Sequence, residues 1–524
     1  MADRAVEKIV AFIDLGTNSI RILVVRLNPN SSYTILTKQK ELVRLGDGEF
    51  EHGKLLPEAI ERTVTVCRKF AELARSFGAS EIVAFATSAT REAKNRSELL
   101  RRLVEEAGIE FGVISGREEA RLIYLGVSSG IDLGDQSMLF IDIGGGSTEV
   151  GVGDRHRYRI LESLKAGAIR MTNLFTSGSE SGVVPPENYQ EIQRHIRSEG
   201  IHAMGRLKGA RFDLAYGCSG TIQTLADTTR LLYHPEKAED NFVLTHTDLQ
   251  QTVAYLCSLP LEKRRRVPGM VAERADIIIG GAAILDVLME ELAIPGIRIS
   301  DRSLRDGMLV DYLSRMDGFP HAEPLSVRKR SVIQLGRSCG IDEAHALTVT
   351  RLALELFDSA ADQKLHTCGA WEREMLEYAA YLHDIGSFIS FKGHQIHSQY
   401  IIRNADLLGF DQRETGVLAL IARYHRKRVP GKKDVLITSF GNRARRAVRV
   451  LSALLRYAEH LDRTHAGLVQ HARFVNAQNG VVCLQIQCRG DCALEYWAVQ
   501  SDTGAFKKTF GKSLTVECIQ SREP

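Results

Sequence analysis

Ile141-Asp142-Ile143-Gly144-Gly145-Gly146-Ser147-Thr148-Glu149-Val150 is the stretch on which the reading of this chain turns. The apolar run from Met138 to Ile141 leads into it and Val150-Gly151-Val152 leads out, a pattern that predicts strand, glycine turn, strand. Three consecutive glycines allow positive φ and a close approach of backbone to a ligand. Their successive N–H groups form a concavity suited to phosphate oxygens. The hydroxyls of Ser147 and Thr148 add donors, and Asp142 and Glu149 are carboxylates able to hold a hard cation such as Mg²⁺, directly or through water. Standing alone, the stretch would read as an ordinary glycine-rich hairpin.

The plan recurs near the N-terminus. Ile9 to Ile13 runs into Asp14-Leu15-Gly16-Thr17-Asn18-Ser19 and out into the apolar Ile20-Arg21-Ile22-Leu23-Val24-Val25. Two such turns facing each other across a cleft, each bringing an Asp, would hold a polyphosphate chain and its metal. That arrangement assigns Gly16, Thr17, Asn18, Ser19, Gly144, Gly145, Gly146 and Ser147 to phosphate, and Asp14, Asp142 and Glu149 to Mg²⁺. The paired Asp-x-Gly turns resemble the actin-like, ribonuclease-H-like fold shared by sugar kinases, heat-shock chaperone ATPases and acetate kinase. Their forms here resemble the exopolyphosphatase/guanosine-pentaphosphate phosphohydrolase family within it.

Three further segments gain meaning from that resemblance. Ser115-Gly116-Arg117-Glu118-Glu119-Ala120-Arg121 opens an acid-led helix, and by pattern alone its glutamates complement the helix dipole. The family carries a Ser-Gly-x-Glu-Glu-Ala-Arg segment whose second glutamate is taken as the base, which implies Glu119. Arg91, at the end of Ala86-Thr87-Ser88-Ala89-Thr90-Arg91, matches the family's arginine near the scissile phosphate; its planar fork suits bidentate phosphate contact. Gly217-Cys218-Ser219-Gly220-Thr221 matches a cleft-lining loop, which adds Gly220 and Thr221, and reads equally as a strand-to-helix turn capped by Ser219. Lys165 and Arg170 would add positive charge. Ile279-Gly280-Gly281-Ala282-Ala283 resembles the glycine pair that supports adenosine in actin-like ATPases and so keeps a kinase reading open; Glu119 and Glu149 fit the hydrolase branch instead.

Composition sets the frame. With 524 residues, 44% hydrophobic and 25% charged, the chain is long enough for three or four ordinary globular units. No apolar stretch reaches spanning length, the polar start Met1-Ala2-Asp3-Arg4 predicts no cleaved signal, and nine cysteines without a CxxC predict reduced thiols and a cytoplasmic protein. Cys488 and Cys492 bracket a predicted hairpin in which free thiols are expected over a bridge. The net charge is only +3, yet Ile421–Val450 holds ten Lys/Arg against the single acid Asp434, a patch attractive to polyanions. A solvated helix face is the plainer reading of such a run, and neither a membrane nor a specific nucleic-acid partner is expected.

Strand and helix signals alternate through 1–123 and restart in 124–316. The expected strands include Glu81–Ala86, 111–114, 212–216 and 297–300, and the expected helices 57–77, 96–107 and 272–292. Residues 317–470 read as amphipathic helices and 471–524 as a small antiparallel β tail, with seams near 317–324 and 469–478. The fold class is therefore α/β: a duplicated actin-like two-domain core, then an all-α domain and a β tail.

The helical part carries His345, His383-Asp384, His394, His397, His425 and Asp462 in an order that resembles HD-type phosphohydrolases. The resemblance implies a divalent metal on His345, His383, Asp384 and Asp462, with His394, His397 and His425 available for a second ion or for phosphate. A working second site and a vestigial polyanion-binding, dimerising domain are both compatible with it. Taken whole, the resemblance implies a homodimeric, Mg²⁺-dependent exopolyphosphatase that releases orthophosphate from the polyphosphate terminus, or a guanosine pentaphosphate 5′-phosphohydrolase using the same site.

Overall fold

The computed structural model describes residues 7–155, 157–175, 182–238, 242–316, 325–405, 407, 410, 412–431, 434–438, 440–478 and 480–520, in two compact units, Met1–Val327 and Arg328–Pro524. The polar start, the expected seam at 317–324, and Lys432 and Lys433 of the basic run lie outside the described residues.

The first unit repeats one sheet plan. Strands β1 (Lys8–Leu15), β2 (Ser19–Leu27), β3 (Tyr33–Leu42), β4 (Glu81–Ala86) and β5 (Gly112–Val113) lie in the order β3-β2-β1-β4-β5. Strands β6 (Met138–Ile143), β7 (Thr148–Gly153), β8 (Tyr158–Leu164), β9 (Leu214–Cys218), β10 (Val243–Thr245) and β11 (Gly296–Ile299) lie in the order β10-β11-β9-β6-β7-β8. In each sheet an antiparallel hairpin, β1–β2 or β6–β7, is joined on its first strand by a later parallel strand, β4 or β9. The registers correspond: Asp14 faces Arg21 as Asp142 faces Glu149. All of β6 and the last six residues of β1 are buried, as continuous apolar runs covered on both faces must be.

Helix Pro57–Ser76 covers one face of the first sheet; it begins with proline at its first turn and stops before Gly78, which adopts φ +78. The expected helix 272–292 divides into a 3₁₀ turn, Ala272–Arg274, and the almost wholly buried helix Ile278–Glu291. The remaining sheet faces share a core in which Phe12, Leu23 and Phe140 meet Leu122 and Leu309 from helices Gly116–Ser129 and Leu304–Ser314. Those two helices cross on glycine. A Cβ at Gly126 would sit 2.3 Å from the Ser303 carbonyl oxygen, and one at Gly307 would sit 1.7 Å from that of Leu122. Any side chain at this crossing would drive apart the helix that carries Glu119.

The second unit is helical from 325 to 460, and its core runs without a break from Leu352, Leu376 and Leu454 into Phe474, Leu484 and Ile486 of a three-stranded sheet. That sheet departs from expectation. β12 (Val469–Gln478) occupies the stretch expected as a seam, it pairs antiparallel with β13 (Val481–Cys488), and β13 pairs parallel with β14 (Ser513–Gln520). A parallel pair needs a crossover, which helices Ala493–Gln500 and Thr503–Phe510 supply. Cys488 and Cys492 form a disulfide, contrary to the free thiols expected, because the turn after β13 brings their Cα atoms to 6.3 Å.

Candidate active site

The two hairpin turns are built alike. Gly16 N–H donates to the Ser19 carbonyl and Gly144 N–H to that of Ser147, each at 3.0 Å. Behind the first turn, Gly46 donates to the Thr17 carbonyl while Val43 and Arg44 donate to that of Asn18. Behind the second, the start of helix Ala168–Phe175 does the same work: Ala168 N–H bonds the Gly144 carbonyl, Ile169 and Arg170 bond that of Gly145, and Arg170 Nε reaches that of Gly146 at 2.7 Å. The N–H groups of Thr17, Asn18, Gly145 and Gly146 have no partner among the described residues. Both side-chain polar atoms of Asn18 are also buried without one. Buried donors in this state are expensive unless a ligand completes them.

The triple glycine does not take positive φ, contrary to the sequence reading. Its smallness serves contact between the turns. A Cβ on Gly145 would lie 3.0 Å from Thr17 Cβ, and one on Gly146 would lie 2.6 Å from Ser88 Oγ and 2.8 Å from Thr17 Oγ1. Positive φ occurs instead at Ser219 (φ +73), where β9 turns into helix Ser219–Tyr233. Ser219 is not a cap: its Oγ donates to the Ile143 carbonyl at 2.8 Å, tying this loop to the glycine turn. Gly220 leaves room for Arg274, whose guanidinium a Cβ would meet at 2.3 Å.

The cleft between the turns is lined by Asp14, Thr17, Asn18, Ser19, Gly144, Gly145, Gly146, Ser147, Gly220, Thr221 and Glu119, so the structure brings the predicted phosphate residues and the predicted base together. Its cavity is about 90 Å³. Glu119 follows the Ser115 cap by one helical turn, and Ser115 Oγ accepts from Glu118 N–H at 3.1 Å. Arg91 Nη1 donates to Glu119 Oε2 and to the Ile114 carbonyl, both at 3.0 Å, and so fixes the carboxylate. Burial pushes Glu119 up to about 7 against the pull of Arg91, and Asp14 up to about 6 against Arg21 and Arg305. Burial, with Glu119 and Asp142 nearby, also raises Glu149 well above the ordinary carboxylate range. Glu149 Oε1 accepts from Ser163 Oγ at 2.8 Å, and Asp142 Oδ2 from the Cys218 thiol at 3.2 Å.

Four buried carboxylates in mutual repulsion suit a divalent cation. Asp14, Asp142 and Glu149 nevertheless do not close into a three-ligand cluster on their own. The first two stand at strand ends of different sheets, so a cation here would share its ligands with phosphate oxygens or water.

Sequence reasoning missed Arg21, Arg274 and Ser303, which also line the cleft. Arg21 had a legible signal, a charge set among the apolar residues of β2 directly after the turn; Arg274 and Ser303 are brought in only by the fold. Arg170 pairs with Glu92 at 2.8 Å, and Lys165 lies 3.9 Å from the same carboxylate. Gly280 and Gly281 are packing positions, with any Cβ meeting the Ala168 carbonyl oxygen at 2.8 Å and Thr221 Cγ2 at 2.3 Å.

Among its described residues the second unit holds two His/carboxylate three-ligand groups deep in its interior, His345/His383/Glu459 and Asp384/His394/His425, beside a more exposed one, His345/Asp384/His465. His345 and His383 direct Nε2 at Glu459 Oε2, at 3.2 and 3.1 Å, and His394 Nε2 lies 3.0 Å from Asp384 Oδ1. Nδ1 of His383, His394 and His425 bonds the carbonyls of Ala380, Phe391 and Ala422, leaving each Nε2 turned inward. That is how ligating imidazoles are held, and the donor set fits a divalent metal. Two expectations change. Glu459, unforeseen, sits where Asp462 was expected. Asp462 instead accepts from His345 Nδ1 at 2.8 Å and from Gly467 N–H at 2.8 Å, which spends both its oxygens on orienting rather than ligating. His397 joins none of these groups.

The basic run is partly neutralised within the unit: Arg443 pairs with Glu372 at 2.7 Å, Arg428 with Asp434 at 2.9 Å, and Arg445 bonds the Thr438 and Phe440 carbonyls. Among the described residues no helix is long and apolar enough to cross a membrane.

Comparison with known proteins gives concordant matches. The Ppx/GppA phosphatase family profile matches residues 23–316, and that of Ppx/GppA phosphatase, domain III, matches 327–495. The crystal structure of an exopolyphosphatase from Cytophaga hutchinsonii is 25% identical, with a TM-score of 0.54, over 60% of this chain and 100% of that one. An exopolyphosphatase-like protein is 26% identical, with a TM-score of 0.51, over 58% and 98%. The Ppx/GppA family member from Aquifex aeolicus is 28% identical over 60% and 99%, with a TM-score of 0.49.

Proposed function

The chain belongs to the Ppx/GppA phosphatase family, hydrolases acting on phosphoanhydride bonds and generally dependent on a divalent metal, and within it we propose that this protein is a Mg²⁺-dependent exopolyphosphatase acting at the cleft around Glu119. The observation that carries this reading is the matched pair of turns, each with its carbonyls engaged from behind and its amides free beside a buried, arginine-held carboxylate.

The free amides of Thr17, Asn18, Gly145 and Gly146 take oxygens of the terminal phosphoryl group, and Arg91 adds a charged donor. Glu119, in its ionised form, accepts a proton from the water that attacks phosphorus in line. Arg21 and Arg274 accompany the chain behind the terminal unit. Asp14, Asp142 and Glu149 would hold the cation, which when bound neutralises charge on the phosphoryl oxygens. Polyphosphate is favoured over guanosine pentaphosphate by the likeness to the exopolyphosphatase from Cytophaga hutchinsonii. A cytoplasmic homodimer and a divalent metal on His345, His383, Glu459 and Asp384 in an HD-like second unit complete the proposal.

Orthophosphate release from long-chain polyphosphate and from guanosine pentaphosphate, assayed in parallel with Mg²⁺, tests the reading. Faster release from polyphosphate supports it, whereas preference for the nucleotide transfers the same site to the alternative substrate.

A further inference from the structure

Beside the cleft lies a second cavity, of about 880 Å³, lined by Arg91, Arg117, Arg159, Lys165 and Arg206 against Glu92 and Glu162. Part of this charge is spent: Arg206 pairs with Glu162 at 2.5 Å and Arg91 with Glu119. Arg117 has no partner among the described residues, and Arg159 bonds only the Arg211 carbonyl, at 3.2 Å. Arg117 thus faces the cavity uncompensated, while Arg159, in the field of Asp213, and Lys165, 3.9 Å from Glu92, are only partly compensated, a field that attracts a small anion.

Its position relative to the chemistry is informative. Ser147 lines both spaces. Between them stand the Arg91–Glu119 ion pair and the Glu149–Ser163 hydrogen bond. Asn18, Arg21, Thr221 and Arg274 line the cleft and not this cavity. The base therefore stands at the partition, and the chain-binding residues lie away from it.

In-line displacement puts the attacking water and the leaving oxygen on opposite sides of phosphorus. The water oxygen bonds to phosphorus, its proton passes to Glu119, and the bridging P–O bond breaks with its electron pair going to the new terminal oxygen of the shortened chain. Orthophosphate is then left on the Glu119 side and the chain on the other. We propose that the basic cavity binds orthophosphate and is the route by which it leaves, so that product departs without the remaining chain letting go. This rests on the reading of Glu119 as the base for terminal cleavage.

The test is the full-length double variant Arg117→Glu/Arg159→Glu, with Arg117→Gln/Arg159→Gln as the milder form should charge reversal disturb folding by circular dichroism. Acid-quenched single-turnover rates and steady-state kinetics are measured on tripolyphosphate and on long-chain polyphosphate. Expected are a single-turnover rate and a kcat/KM within about twofold of wild type, a kcat lowered roughly fivefold or more with KM falling in parallel, and a burst of about one orthophosphate per site as product release becomes limiting. A single-turnover rate that falls with kcat would overturn the proposal, and so would kinetics unchanged throughout. A KM raised about tenfold for long chains but not for tripolyphosphate would mean that the cavity holds the chain, and would overturn it equally. Wild-type protein that releases no orthophosphate from either substrate would overturn the functional reading itself, a distinguishable failure.

Discussion

Arg91→Ala should move the acid limb of the pH–rate profile to higher pH. Glu119 works as a base only when ionised, so activity is gained as pH rises through its pKa, which burial places at about 7. Arg91 Nη1 lies 3.0 Å from Glu119 Oε2, which puts the charge centres about 4 Å apart, and at an effective dielectric of 20 that attraction is about 4 kcal/mol. At 1.36 kcal/mol per pKa unit this bounds the shift at about 3 units. Water entering the space left by the side chain will screen part of it, since Arg91 is already 21% exposed, and an upward shift of about 1–2 units is expected. The assay is kcat/KM for orthophosphate release from pH 5 to 9.5 at saturating Mg²⁺, wild type against variant. A loss of activity with an unmoved midpoint, or a shift toward acid, would refute the claim that Arg91 holds Glu119 ionised.

Gly146→Ala forces a Cβ to within 2.6 Å of Ser88 Oγ and 2.8 Å of Thr17 Oγ1, so it should cost about 1–3 kcal/mol in chemical denaturation and most of the phosphate release, whereas a neutral outcome would contradict the close contact of the two turns. Metal analysis of purified protein should find a divalent transition metal that Glu459→Gln removes, while Asp462→Asn, touching only the orientation of His345, should weaken binding roughly 10–100-fold without abolishing it. Thiol titration of denatured, unreduced protein should count seven free cysteines, rising to nine after reduction; nine from the outset would remove the Cys488–Cys492 bridge.

The duplication was readable because each half repeats an apolar strand, an Asp-x-Gly turn and a second apolar strand, and strands buried on both faces leave continuous apolar runs in the chain itself. Glu119 and Arg91 were reached through family resemblance, since a glutamate in a first helical turn and an arginine after a strand are each ordinary alone. What stayed hidden came from tertiary geometry. Gly144, Gly145 and Gly146 were read as conformational glycines, but at Gly145 contact with Thr17, and at Gly146 contact with Thr17, Ser88 and Phe50, is what excludes side chains. Glu459 stands in the last turn of helix Asn442–His460 and Asp462 just past its end, and only the facing histidines decide which of the two reaches the ligand cluster. The mixed C-terminal sheet was misread because alternation marks a strand without stating which way its neighbour runs.

The most direct test of the central claim compares orthophosphate release from polyphosphate by wild type, Glu119→Gln and His383→Ala, with circular dichroism to establish that all three are folded. Loss of release by roughly 10²-fold or more in Glu119→Gln, with His383→Ala close to wild type, is the predicted result. Release that survives in Glu119→Gln and disappears in His383→Ala would put the chemistry in the second unit and contradict the account.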